Sequence, residues 1–200
     1  SGKLNLMFRN PVQWKDDLGA PESDAAFRYV FATDTMADFE AAAQAVVNGK
    51  SFVPGYFQIY SEGASMRRMG LVEPFDRLAI FFKNLGLGQT GEQLKHVEES
   101  VKDVILSYIV NPGDCVWSRL LTPRDLQQTF GFPGGNIEHT MLADGQAYDH
   151  RAYAGDPHRR FYQFGEFENA SICGSSTYPC GSVAGTPAYM CVKELLRDWQ

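Results

Sequence analysis

From Thr90 to Tyr108 the chain carries a long amphipathic stretch that has to be buried against a broad apolar surface. Leu94, Val97, Val101, Val104, Ile105 and Tyr108 recur at helical spacing on one face. Thr90 and Gln93 form a capping box at its start, and Asn111-Pro-Gly113 ends it. Lys95/Glu99 and Glu98/Lys102 are spaced to pair across a turn on the solvent side. A helix of this kind needs a sheet or other helices to cover its stripe, and the rest of the chain offers mostly strands.

Leu4, Leu6 and Phe8 alternate with Asn5, Met7 and Arg9, the period of a half-buried strand. Phe27–Phe31, Tyr56–Tyr60, Arg77–Lys83 and Cys115–Leu121 read as further strands from their β-branched and aromatic content. Residues 10–23 read as a loop, and so does the polar stretch between the third and fourth strands, which contains Met66, Arg67, Arg68 and Met69. Thr35 caps a second helix with Asp38 in its first turn. Met36, Phe39, Ala43, Val46 and Val47 form its stripe, and Asn48-Gly49 stops it. Thr122-Pro123 opens a short helix that Gly131 and Pro133 close. Gly134-Gly135 requires a special backbone conformation. Asn169–Cys173 reads as a short buried strand, and Ala188, Cys191, Val192, Leu195 and Trp199 as the stripe of a terminal helix.

Strands outnumber helices and lie in adjacent pairs. The predicted fold class is therefore α+β, a mixed, mostly antiparallel sheet with helices packed on one face. Residues 1–168 are expected to form that region, and residues 169–200 a strand, a crossing and a helix of their own. Net charge is −6, which disfavours nucleic acid or an anionic membrane surface as partner. No apolar run reaches membrane-spanning length and no signal peptide is legible at the N-terminus, so the cytoplasm or a mitochondrial matrix is the expected compartment. The four cysteines, Cys115, Cys173, Cys180 and Cys191, match no zinc spacing and read as free thiols. Asp149, His150, Asp156 and His158 fit no ligand template either, so no metal is expected.

The terminal crossing is the stretch with most chemical potential. Gly174, Gly181 and Gly185 permit close backbone approach, and Ser175, Ser176, Thr177, Ser182 and Thr186 supply hydroxyls. At the positive end of a helix dipole, such a segment can hold an anionic or electron-rich ligand. It can equally be a tight turn with Thr186 as N-cap before Pro187. His139, beside Glu138, can bind a ligand or move a proton, or simply be solvated.

Taken together, Gly134-Gly-Asn-Ile-Glu-His139 and the run from Cys173 to Tyr189 resemble a known family. It is the phytoene desaturase-like FAD-dependent oxidoreductases, in the phytoene dehydrogenase-related or pyridine nucleotide-disulfide oxidoreductase domain-containing branch. The likeness is strongest from about Thr90 to Leu196. The chain departs from the family pattern at Cys180, where glycine is usual, and at Tyr178, where histidine is common.

The resemblance implies a two-domain flavoprotein whose N-terminal half cradles the FAD pyrophosphate on a G-x-G-x-x-G turn, with a substrate domain that ends by returning to the flavin. No run here is read as that cradle. The chain is accordingly expected to be the C-terminal, substrate-domain half, partnered by the N-terminal FAD-binding half of the same polypeptide and inactive alone. An opening Ser1-Gly2 that runs straight into a strand fits a start in mid-domain, or an expression scar. FAD would be bound in the full-length protein and not by this fragment. Gly174, Ser175, Ser176, Gly181, Val183 and Gly185 are expected to line the flavin. Tyr56, Tyr60, Phe82 and His139, with the Met66–Met69 stretch, are expected to line the site of a small apolar substrate. The apolar surface left by the missing half would favour a homodimer. The rival expectation is a non-catalytic binding or regulatory module that contacts a partner protein or lipid.

Overall fold

Alternation in the first strand sets the sheet. In β1 (Gly2–Phe8), Leu4, Leu6 and Phe8 are wholly buried while the residues between them stay half-buried. The computed structural model describes residues 1–15, 27–31, 35–49, 55–137, 162–174, 177 and 185–198. Within these, β1 lies between β4 (Asp76–Phe82) and β5 (Cys115–Leu121). β3 (Tyr56–Ser61) flanks β4 on its other side, and β2 (Phe27–Phe31) forms the edge beyond β3. The order is β2-β3-β4-β1-β5, and every pairing is antiparallel. The α+β class holds, with a sheet that is wholly antiparallel among the described residues.

Register explains the core. Leu4 stands opposite Ile80 and Leu120, Leu6 opposite Leu78, and Ile59 opposite Ile80, so the apolar residues of four strands share one face. Across that face lies α3 (Gly91–Ser107), with Val97, Val101 and Ile105 buried and Leu94, Val104 and Tyr108 packed at the margin. Burying each large aliphatic side chain contributes roughly 1.5–3 kcal/mol. The Thr90/Gln93 capping box is formed in full. Lys95 and Glu99 pair at 4.0 Å. Glu98 accepts a 2.6 Å hydrogen bond from Ser118, which ties α3 to β5.

Several local expectations are corrected. The polar stretch after β3 is a helix, α2 (Glu62–Arg68), rather than a loop. It is only seven residues long, includes Gly63 and has no side-chain cap, so no local signal announces it. In α1 (Met36–Val47) Thr35 caps Asp38 as expected, but Ala42 is the buried residue, while Met36 and Val47 lie open to solvent. The buried face runs through Phe39, Ala42 and Val46, so the expected stripe holds at Phe39 and Val46 and is corrected at Met36, Ala43 and Val47. In α4 (Pro123–Phe130), Thr122 and Asp125 complete a second capping box with Pro123 in the first turn. Gly135, at φ +65, packs so closely on Pro123 that a Cβ there would overlap its backbone, which accounts for the glycine.

The chain divides into two compact units, Ser1–Ile137 and Glu138–Gln200. Residues 162–174 belong to the second unit together with the terminal helix. In the second unit, residues 162–172 form a small hairpin. Ile172 N–H donates to Tyr162 O at 2.8 Å, Phe164 N–H to Ala170 O at 2.9 Å, and Gln163 bridges Ser171. The expected buried strand over Asn169–Cys173 is thus one bridge, with Ile172 and Cys173 exposed. The terminal helix α5 (Thr186–Asp198) buries Cys191. Tyr189 N–H donates to Gly185 O, so Gly185 rather than Thr186 takes the N-cap position. Trp199 lies outside the described residues.

Candidate functional site

The side of the sheet turned away from α3 carries the residues of opposite parity. They are Asn5 and Met7 on β1, Gln58 and Tyr60 on β3, and Arg77, Ala79 and Phe81 on β4. Tyr60 and Phe81 meet edge to face with ring centroids 5.6 Å apart. Lys3 Nζ stands 5.1 Å from the centre of the Phe81 ring. Beside this pair, under α2, is a cavity of 380 Å³ lined by Tyr60, Glu62, Ser65, Met66, Arg77, Ala79 and Phe81. Its walls are aromatic and thioether, and its floor is a small alanine. Glu62 and Arg77, 4.0 Å apart, add a polar margin. Such a cavity suits a small molecule with an apolar body and a polar end.

Of the residues expected to line a substrate, Tyr60 and Met66 are brought together here. Tyr56 shares the sheet face but stacks on Phe39 of α1 at 5.6 Å, away from the cavity lining. Phe82 is corrected: it is 2% exposed, packs edge to face with Phe57, and belongs to the core side under α3. Its neighbour Phe81 takes the open side. Sequence reasoning missed Phe81, Ala79, Arg77 and Glu62. The period of two in Leu78, Ile80 and Phe82 was the signal, since it sends Arg77, Ala79 and Phe81 to the other face. His139 lies outside the described residues.

In the second unit Gly174 and Gly185 bracket the crossing, and a Cβ at either would meet nothing within 4 Å. Thr177 closes a turn on Gly174: its N–H donates to Gly174 O at 3.0 Å and its hydroxyl to the same oxygen at 2.9 Å. Ser175, Ser176, Gly181 and Val183 lie outside the described residues.

A run with dinucleotide-cradle spacing is nevertheless present, and sequence reasoning passed over it. Gly86-Leu-Gly88-Gln-Thr-Gly91 is a G-x-G-x-x-G between β4 and α3. The surroundings argue against a cradle. The Thr90/Gln93 box already engages the N–H groups that would face a pyrophosphate, and β4 and β5 are separated by the antiparallel β1. No Cβ at Gly88 or Gly91 would meet a neighbour, so neither glycine is required for close helix–strand packing.

The chain is similar to two proteins named for an oxidoreductase domain. It is 33% identical over 109 residues, 54% of its length, to pyridine nucleotide-disulfide oxidoreductase domain-containing protein 2 of Rattus norvegicus, covering 18% of that protein. It is 32% identical over 101 residues, 50% of its length, to the protein of the same name from Mus musculus, covering 17% of it. The matched stretch is therefore less than a fifth of each relative. No family model matches the chain.

The helix roofing the cavity is anchored by one buried carboxylate. Asp76 Oδ2 accepts from Val12 N–H at 2.7 Å, while Oδ1 accepts from Arg77 N–H at 3.0 Å and pairs with Arg67 Nη1 at 3.1 Å. Gly63 of α2 lies so close that a Cβ there would overlap Asp76 Oδ1. Among the described residues no group of three or more His, Cys, Asp or Glu side chains is arranged to hold a metal ion. No described helix is long and apolar enough to cross a membrane.

Proposed function

We propose that this chain is the substrate-binding part of a flavin-dependent oxidoreductase of the phytoene desaturase-like kind, a dehydrogenase or desaturase of a small apolar or amphipathic molecule. The similarity to the two oxidoreductase-domain proteins supports the reaction class. The observation that carries the substrate chemistry is the cavity on the open sheet face, walled by Tyr60, Phe81, Ala79 and Met66 with Arg77 and Glu62 at its margin. In this reading the rings and the thioether hold the apolar body and exclude water, and the Arg77–Glu62 pair orients a polar end.

FAD, when bound, supplies the hydride-accepting ring. At Gly174 and Gly185 no side chain stands in the way of such a ring. The N–H groups of Thr186 and Ala188 have no acceptor inside α5 and would favour negative charge beside them by ~0.3–1 kcal/mol. Ser175, Ser176, Gly181 and Val183 are proposed to complete that lining, and His139 to reach the substrate. The pyrophosphate cradle is proposed to come from another stretch of the same polypeptide.

Two measurements test this. The 200-residue chain is expected to show no visible flavin absorbance after desalting, and retained flavin would overturn the division of labour. In the full-length protein, Ala79→Trp is expected to fill the cavity and raise KM roughly tenfold, about 1.4 kcal/mol, at unchanged flavin content. An unchanged KM would remove the cavity from the substrate path. A full-length protein without flavin would favour the non-catalytic binding module.

A further inference from the structure

The cavity under α2 is mostly apolar, and its few polar groups differ in what they still have to offer. Apart from Tyr60, whose ring packs on Phe81, they belong to Ser65, Glu62 and Arg77. Ser65 has committed its hydroxyl proton to Ser61 O at 3.2 Å. Arg77 Nε is buried and donates to no acceptor. Glu62 Oε2 faces it at 4.0 Å, close enough to form an ion pair and too far to accept a hydrogen bond. One donor and one acceptor therefore confront each other across a gap beside an apolar cavity. Lys3, a further cation on this sheet face, holds its ammonium over the Phe81 ring and does not line the cavity.

The width of that gap selects the group that closes it. An oxygen atom set about 2.8 Å from each side spans the 4.0 Å between Nε and Oε2 with an angle of roughly 90° at the oxygen, which a bent hydroxyl can meet. Such an oxygen must accept from Arg77 and donate to Glu62, and a hydroxyl does both. A carboxylate accepts from Arg77 but sets its own oxygens against Glu62 with no proton between them. An ammonium has no lone pair for Arg77, and an ether oxygen has no proton for Glu62. We infer that the polar end taken by this cavity is a neutral hydroxyl seated between Arg77 Nε and Glu62 Oε2, so that the ligand is an uncharged alcohol or phenol with a compact apolar body. The inference rests on the reading of this cavity as the substrate site. It adds the head group, and the 380 Å³ volume, at the small end of ligand pockets, keeps the body compact. Tyr60 and Phe81, meeting edge to face, supply walls suited to a flat aromatic body.

Three ligands with one body test the head group: 2-naphthol, 2-methoxynaphthalene and 2-naphthoate, titrated calorimetrically against the complete 200-residue chain at neutral pH. 2-Naphthol is expected to bind roughly tenfold more tightly than 2-methoxynaphthalene, which keeps the accepting oxygen and lacks the proton. It is also expected to bind more tightly than 2-naphthoate. In Glu62→Ala, with the circular dichroism spectrum reporting that the chain is folded, the advantage of 2-naphthol over its methyl ether is expected to disappear. 2-Naphthoate binding most tightly to the unsubstituted chain would make Arg77 an anion site and overturn the inference. Equal affinity for 2-naphthol and its methyl ether, or an advantage that survives Glu62→Ala, would overturn it too. Ala79→Trp separates this failure from failure of the site. If all three ligands bind alike and Ala79→Trp abolishes their binding, the cavity stands as the substrate site and only the hydroxyl preference falls. If none binds, or Ala79→Trp leaves binding unchanged, the cavity is lost as the substrate site and the inference falls with it.

Discussion

Asp76 faces three donors from three places in the chain: Val12, Arg67 and its own neighbour Arg77. Removing the carboxylate leaves the Val12 N–H buried and unpaired and frees the α2 end of the ion pair. Asp76→Ala is expected to cost on the order of 3 kcal/mol in urea unfolding. Gly63→Ala should cost a similar amount, because its new methyl displaces the same carboxylate. Combined, the two should cost far less than their sum, since each removes the same interaction. Full additivity would mean that Gly63 matters for some other reason. Little of this was legible beforehand, because Asp76 and Val12 are 64 positions apart and nothing local marks the bond.

Helix starts, by contrast, are written in a few adjacent residues. Thr35, Thr90 and Thr122 each cap as their local sequence requires. In α4 the hydrogen bonds from Thr122, hydroxyl first and backbone N–H second, hold the Asp125 carboxyl below its usual range. A carboxyl with a depressed folded pKa contributes stability above its unfolded value of about 3.9, and that contribution disappears as pH falls through the folded value. Asp125→Asn should therefore cost about 0.5 kcal/mol at neutral pH, the low end for a cap because the carboxylate is partly solvated. The gap between parent and variant should shrink below about pH 4. Urea midpoints measured for both at neutral and acid pH decide it, and a gap that stays constant into acid would exclude the carboxylate. α2 shows where such local reading stops. Its helix is held by β4 and Asp76 rather than by a cap, so the same residues read as a loop.

On the scale of the whole molecule, the turn between α2 and β4 exposes Met69, Leu71, Val72 and Phe75 together, with Val72 97% open. Apolar side chains exposed together in this way favour association. The isolated chain is expected to self-associate at high concentration, and Val72→Asp to reduce light scattering while shifting stability by less than about 0.5 kcal/mol. Scattering that Val72→Asp leaves unchanged would place any contact elsewhere. What could be read in the residues alone was whatever closes within a turn or a period: the caps, the strand segments, the stripe of α3 and the α+β class. Strand order and the open face depended on the folded chain. Pairings such as β1 with β5 join residues that share no local period. β4 makes the point most sharply. Its period of two separates Phe81 from Phe82, but Leu78, Ala79 and Ile80 are all buried, so it is the register against β1 and β3 that assigns Phe81 to the cavity face and Phe82 to the core.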